Sequence, residues 1–255
     1  MKRKNLFIIG IIIIALVLST VGCSNDQGAA TDKPKFAFAM SGQYKPFNYY
    51  NEQNELTGFD VEIGKALAEK MGMEPEPIAT PWQGIIAGLK SERYDAIIGS
   101  MTITDDRLKE VDFAGPYYVS GAQLFVAPGS EIKSLDDIND DVTVGVTIST
   151  VYEEKAREYT SEVKTYDSDL TALRDLATGR TDAVITDRFV GLLAAEDSGI
   201  AVEATGDLLF VENIGIAVRK DSPLKAEIDK ALEAIMSDGT YLEISERYFE
   251  RDISK

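Results

Sequence analysis

Hydrophobic positions fall into three regimes along the chain. The first is a continuous apolar run, Leu6 to Leu18, broken only by Gly10 and preceded by Lys2-Arg3-Lys4. The second, from Ser24 to Lys35, is polar and small, with Gly28, Ala29, Ala30 and Pro34. The third begins at Phe36 and alternates short apolar runs with stripes of helical spacing, which predicts an α/β body of mainly parallel sheets. Phe36-Ala37-Phe38-Ala39-Met40 reads as a buried strand. Phe59, Ile63, Ala66, Leu67 and Met71 share one face of a helix that Gly72 closes. Ile85, Ile86 and Leu89 mark a second helix, and residues 95–99 a second strand. Further strands are expected at 122–127, 142–146, 182–186 and 214–218. Ser222-Pro223 reads as the N-cap and first-turn proline of a late helix that Gly239 ends.

The pattern contains an echo. Arg93-Tyr94-Asp95-Ala96-Ile97-Ile98 is matched further on by Arg180-Thr181-Asp182-Ala183-Val184-Ile185. Each follows an amphipathic helix and runs into a polar residue, Ser100 or Asp187. Two copies of one α/β unit imply two lobes whose strand C-termini face a shared crevice, where open α/β sheets bind ligands.

The N-terminal run is too short for a permanent span. As a helix, Leu6 to Leu18 rises about 20 Å, against about 30 Å of hydrocarbon. It suits the apolar region of a signal peptide covering residues 1–22. Ser19-Thr20-Val21-Gly22 then leads to Cys23, the one cysteine in the chain. A small residue before a lone cysteine resembles the lipobox of bacterial lipoproteins, although Thr20 stands where leucine is commonest. The resemblance implies lipidation of Cys23, a tether over residues 23–34, and attachment to the outer face of the cytoplasmic membrane or in the periplasm.

Charge and composition narrow the function. The formal net charge is −17, with 43 acidic against 26 basic residues. Loss of residues 1–22 makes it more negative, since that stretch carries Lys2, Arg3 and Lys4 and no acid. So acidic a surface repels nucleic acid, which is excluded as a partner. The chain has no histidine, the commonest general base and metal ligand. The acidic residues are scattered rather than grouped as a calcium loop, so neither metal nor cofactor is expected.

Four stretches carry a wider resemblance. They are Tyr44-Lys45-Pro46-Phe47, Gly58-Phe59-Asp60-Val61, Met101-Thr102-Ile103-Thr104-Asp105-Asp106-Arg107, and Val111-Asp112-Phe113 with Pro116-Tyr117-Tyr118. Their order and spacing resemble the polar amino-acid-binding proteins of ABC importers, in the periplasmic-binding-protein family. The resemblance implies two α/β lobes joined by two crossing strands that hinge shut on a ligand. Lobe 1 would comprise residues 35–116 plus 215–255, and lobe 2 residues 122–209. The hinges would fall at 117–121 and 210–214. It also implies a polar L-amino acid as ligand, an ABC permease as partner, a monomer, and no catalysis.

A free amino acid is a zwitterion and asks for a cation and an anion. Arg107 suits the carboxylate, because a planar guanidinium takes it through two parallel hydrogen bonds. The plain alternative for Arg107 is a surface pair with Asp105 or Asp106. By resemblance Asp187 meets the ammonium, against a plain role as helix N-cap. Ser100 and Thr102 match contacts to the ammonium and carboxylate, and Tyr44 and Trp82 match aromatic walls. Phe47 reads as structural. Thr147 and Thr150 flank Ser149, near which the family usually carries glycine. Ser41 stands where some basic-amino-acid receptors carry an aspartate, which lowers the expectation for lysine or ornithine unless another acid substitutes. The alternatives are a dehydratase-like enzyme on this scaffold, or a receptor for a basic amino acid or a derivative such as an opine.

Overall fold

The structure is a computed structural model that describes residues 33–197 and 199–255. The expected signal peptide, Cys23 and the tether as far as residue 32 lie outside the described residues.

The first half of the body runs β1 (Lys35–Met40), α1 (Phe59–Lys70), β5 (Glu74–Ala79), α2 (Ile85–Lys90) and β6 (Ala96–Thr102), with the short strands β2 (Gln43–Tyr44), β3 (Asn48–Tyr50) and β4 (Leu56–Thr57) inserted after β1. After α3 (Asp105–Glu110) and the long strand β7 (Val111–Val126), the second half repeats the plan: β8 (Val144–Thr147), α4 (Val151–Arg157), β9 (Val163–Tyr166), α5 (Asp169–Ala177) and β10 (Ala183–Asp187). The helix α6 (Arg188–Asp197), the long strand β11 (Glu203–Arg219), α7 (Leu224–Ser237) and α8 (Thr240–Phe249) complete the body. Among the described residues one sheet has the order β5-β1-β6-β11-β7-β10-β8-β9. Its two ends are parallel, with β1 between β5 and β6 and β8 between β9 and β10. The long strands β7 and β11 pair antiparallel through the middle.

The sequence echo is a structural repeat down to single hydrogen bonds. The amide of Ala37 donates to Asp95 Oδ2 at 2.9 Å, and that of Thr143 donates to Asp182 Oδ2 at 2.8 Å. Each aspartate's own amide returns to the same residue's carbonyl, at 2.8 Å and 2.9 Å. The two aspartates thus start equivalent parallel pairs, β1 with β6 and β8 with β10.

Strand side chains alternate between two covered faces, the period-two pattern of a sheet with helices on both sides. In the first half Phe36, Phe38, Met40, Ala96 and Ile98 pack into one cluster, while Ala39, Ile97 and Met101 pack into another. In the second half Leu124, Val126, Ala183 and Ile185 separate in the same way from Phe125 and Val184. Gly191 in α6 has a packing reason. A Cβ there would lie 2.1 Å from Cζ of the buried Phe125.

Two expectations shift. The strand expected at 122–127 is the end of the much longer β7, which stops at Val126, and that expected at 214–218 lies within the long β11. The late helix starts at Leu224 with Pro223 as its N-cap, and Ser222 Oγ accepts the Leu224 amide at 3.3 Å, so the helix begins one residue later than Ser222-Pro223 implied. The segments expected as hinges face each other across the ladder, with Tyr118 opposite Ile214 and Ser120 opposite Glu212.

Candidate functional site

On the first half, β6 ends at Thr102 and Thr104 caps α3, its Oγ1 accepting the Arg107 amide at 3.2 Å. This turn sends Arg107 back over the strand end. Its Nη1 donates to the Thr102 carbonyl at 2.8 Å, and its guanidinium lies 5.7 Å from the Trp82 ring centre. Asp106 pairs with Lys109 instead, at 2.6 Å, so the plain surface-pair role for Arg107 is not what the fold builds. Among the described residues Arg107 pairs with no carboxylate. Burial pulls its pKa down, while Glu154, Glu212 and Tyr152 oppose the fall.

Ser100 adopts φ 60, a left-handed conformation rare outside glycine and found where a site over-determines the backbone. Its Oγ donates to Asp60 Oδ2 at 2.9 Å. Asp60 is fully buried and also accepts from Asn48 Nδ2 at 2.7 Å and the Tyr117 hydroxyl at 2.6 Å. Asn48 Oδ1 in turn accepts from Ser41 Oγ at 3.0 Å and the Gly42 amide at 2.8 Å. Burial pushes Asp60 up to about 6, against the pull of its three donors. Ser41 and Ser100 are therefore anchored through one buried carboxylate.

On the second half, β8 ends at Thr147, which is buried, and Thr150 caps α4 by accepting the Glu153 amide at 3.3 Å. Ser149 between them has φ 60, which explains why glycine would suit this turn. The two halves touch here. Trp82 Nε1 donates to the Ser149 carbonyl at 3.1 Å, and the Tyr44 and Tyr152 hydroxyls meet at 3.3 Å. Tyr152 donates to Glu212 Oε2 at 3.0 Å, while Thr102 donates to Glu212 Oε1 at 2.7 Å. Asp187 ends β10. Its Oδ1 accepts the amides of Phe189 at 2.7 Å and Val190 at 3.4 Å, so it does cap α6. Burial lifts Asp187 to about 6, opposed by Ser120 and those amides. Glu212 reaches about 7, chiefly through burial and then through the charge of Asp187, with Thr102, Tyr152 and Arg107 opposing.

Of the nine residues singled out by sequence, Ser41, Tyr44, Trp82, Ser100, Thr102, Arg107 and Thr150 line one cavity of about 40 Å³, with Gly99, Val151 and Tyr152. Thr147 and Asp187 do not line it. Asp187 lies deeper, close enough for its charge to act on both Tyr44 and Tyr152. A cavity of this size holds about one water molecule. It is too small for a whole amino acid. A larger groove of about 420 Å³ lies between the β2–β3 hairpin and helices α5 and α6, and none of the nine lines it. Sequence reasoning passed over Tyr152 and Glu212, and took Asp60 only as part of a motif. A glutamate inside a strand-forming stretch, at Val211-Glu212-Asn213, was the one signal for the second. Among the described residues no group of His, Cys, Asp and Glu side chains could hold a metal ion.

Comparison with known proteins agrees with this geometry. The family model for bacterial extracellular solute-binding proteins, family 3, matches residues 36–251. The L-cystine-binding protein TcyJ of Escherichia coli K12 is 34% identical, over 97% of this chain and 96% of that protein. The ABC transporter arginine-binding protein 1 of Escherichia coli K12 is 35% identical, over 92% and 98%. The solved structure of an ancestral arginine-binding protein bound to glutamine superposes with a TM-score of 0.80 at 36% identity, covering 85% of this chain and 98% of that one. These relatives are two-lobed binding proteins. No helix among the described residues is long and apolar enough to cross a membrane. The chain therefore belongs to the bacterial extracellular solute-binding proteins, family 3, and is a binding protein of the cell envelope rather than an enzyme.

Proposed function

We propose that this protein captures a polar L-amino acid as its zwitterion in the cleft between two lobes and delivers it to the permease of an ABC importer. The observation that carries the reading is Arg107. Its guanidinium is fixed at the cleft by the Thr102 carbonyl and the Trp82 face, yet pairs with no carboxylate among the described residues. A substrate carboxylate is the partner such a held fork suits. Asp187, buried near 6 without a salt bridge among the described residues, is the complementary grip for the ammonium. Ser100, Thr102, Thr147 and Thr150 add hydroxyls and amides, and Ser41, Tyr44 and Trp82 form the wall.

In this reading lobe 1 is residues 35–116 plus 215–255 and lobe 2 is 122–209, swinging about 117–121 and 210–214. The Trp82–Ser149 and Tyr44–Tyr152 contacts then join lobe to lobe. Cys23 carries the lipid that holds a monomer at the outer face of the membrane. The relatives named for arginine and cystine support an amino acid as the solute.

A thermal-shift screen against the L-amino acids tests the reading, because ligand at 100 times its Kd adds about 2.7 kcal/mol to stability. At least one polar amino acid should raise the melting temperature of the wild type, and Arg107→Lys should abolish the shift at the same concentration. A screen in which no amino acid stabilises the wild type refutes it.

A further inference from the structure

The groove of about 420 Å³ beside the β2–β3 hairpin stands back to back with the small cavity. Gln43 and its cross-strand partner Tyr49 line the groove, while Tyr44, next along β2, lines the cavity. Successive strand residues point to opposite faces, so one strand walls both spaces. On the second half, Val190, Leu193 and Ala194 reach the groove at i, i+3 and i+4 of α6, the helix that Asp187 caps. The groove thus spans the two halves. Its volume is that of small-molecule pockets, about 300–1,000 Å³.

Its charge is opposite to that of the chain. The sequence has 43 acidic residues, yet none of the described ones lines the groove, whereas Lys45 and Arg174 both do. Lys45 lies over the Tyr49 ring, 5.6 Å from its centre. Arg174 forms no ion pair among the described residues, and the acid next to it in sequence is already engaged. Asp175 Oδ1 accepts from Arg180 at 2.7 Å, and its Oδ2 from Lys164 at 3.0 Å and Tyr166 at 2.9 Å. The other walls are mixed. Leu173, Val190 and Leu193 are apolar, Tyr50 is exposed, and Ser168 and Thr171 bring hydroxyls that meet at 2.9 Å. A guanidinium beside aromatic and apolar walls suits a carboxylate carried on a flat apolar body.

We propose that this groove is a second ligand site, which takes a small aromatic carboxylate and joins the two halves through it. The carboxylate meets Arg174, and the ring lies between Tyr49, Tyr50 and the α6 face. A ligand that touches both halves favours their approach, and so raises the affinity for a solute gripped between them. That last effect rests on the zwitterion reading above; the site itself does not.

Indole-3-acetate and indole-3-acetamide serve as the probe pair, alike in shape and different in charge. In calorimetry at pH 7.5, wild type should bind the acetate at least about tenfold more tightly than the acetamide, as befits hydrogen bonds to a charged group. Arg174→Gln should bring the ratio below about threefold, and since Arg174 is exposed the fold does not depend on it. In amide NMR spectra of wild type, the acetate should shift residues 42–50 together with 168–174 and 190–194. Equal binding of the two probes, binding of neither, or shifts centred on Trp82 and Arg107 overturns the site. Shifts confined to one wall overturn its bridging role. With the acetate saturating, wild type should hold its tightest-binding L-amino acid about fivefold more tightly or better. An unchanged affinity overturns the effect on closure and leaves the zwitterion reading standing. A protein that takes the acetate as described but binds no amino acid refutes the zwitterion reading and keeps the groove.

Discussion

Asp60 joins the fold to the site, and its titration should be visible in stability. Its carboxyl is fully buried and pushed from an ordinary 3.8 to about 6, with burial outweighing the hydrogen bonds from Tyr117, Asn48 and Ser100. The folded state thus holds the proton more tightly than the unfolded chain. Stability from this group is complete below 3.8 and is lost as pH rises through about 6. A rise of that size corresponds to roughly 3 kcal/mol in total, of which about 1 to 2 kcal/mol falls between pH 5 and 7.5. Asp187 and Glu212, also raised and buried, act in the same direction. Asp175, held to about 2 by Arg180 first and then by Lys164 and Tyr166, acts oppositely, but only below that window. Relief of acidic self-repulsion also favours low pH, so the difference between wild type and variant is what isolates Asp60. Urea unfolding of wild type and Asp60→Asn at pH 5 and 7.5 should show wild type losing about 1 to 2 kcal/mol more than the variant over that interval. Parallel losses in the two proteins would refute the assignment.

Three further outcomes are expected. Ser149→Gly should stabilise the protein by about 1 kcal/mol in urea titrations, because φ 60 at an exposed serine is relieved by glycine. Gly191→Ala should cost about 1 to 3 kcal/mol by the same measurement, because its Cβ meets the buried Phe125 ring. Cys23→Ala should move the protein from the membrane fraction to the soluble fraction of cells without changing its melting temperature, because in the proposed reading acyl chains on Cys23 supply the attachment.

Much of the fold was legible because it is written locally. The Arg-x-Asp echo marked both parallel cores, and its two aspartates make the same pair of hydrogen bonds to Ala37 and Thr143. The helix over Phe59–Lys70 followed from its stripe and from Gly72. The long strands were read only in pieces. Gly115-Pro116 and Glu212-Asn213 interrupt their apolar pattern, and what holds them extended is the ladder each makes with the other. The seven singled-out residues that line the small cavity stand in short segments around turns. Glu212 was not singled out, since its burial comes from a strand paired opposite Ser120, far away in sequence. Tyr152, in Val151-Tyr152-Glu153-Glu154, looks like a solvated first helical turn until the other half folds over it.

Ligand capture as proposed turns on Arg107 and Asp187 holding opposite ends of one zwitterion. The most direct measurement is a calorimetric cycle of wild type and Asp187→Asn, each titrated with the tightest-binding L-amino acid and with its N-acetyl derivative. Asp187→Asn deletes the charge that faces the ammonium, and acetylation deletes the ammonium itself. Each change alone should cost about 1.5 to 3 kcal/mol, as for other hydrogen bonds to charged groups. Together they should cost clearly less than their sum, because both remove the same interaction. Additive losses, or an Asp187→Asn protein that binds the free amino acid as wild type does, would contradict the claim and leave Asp187 only as the cap of α6.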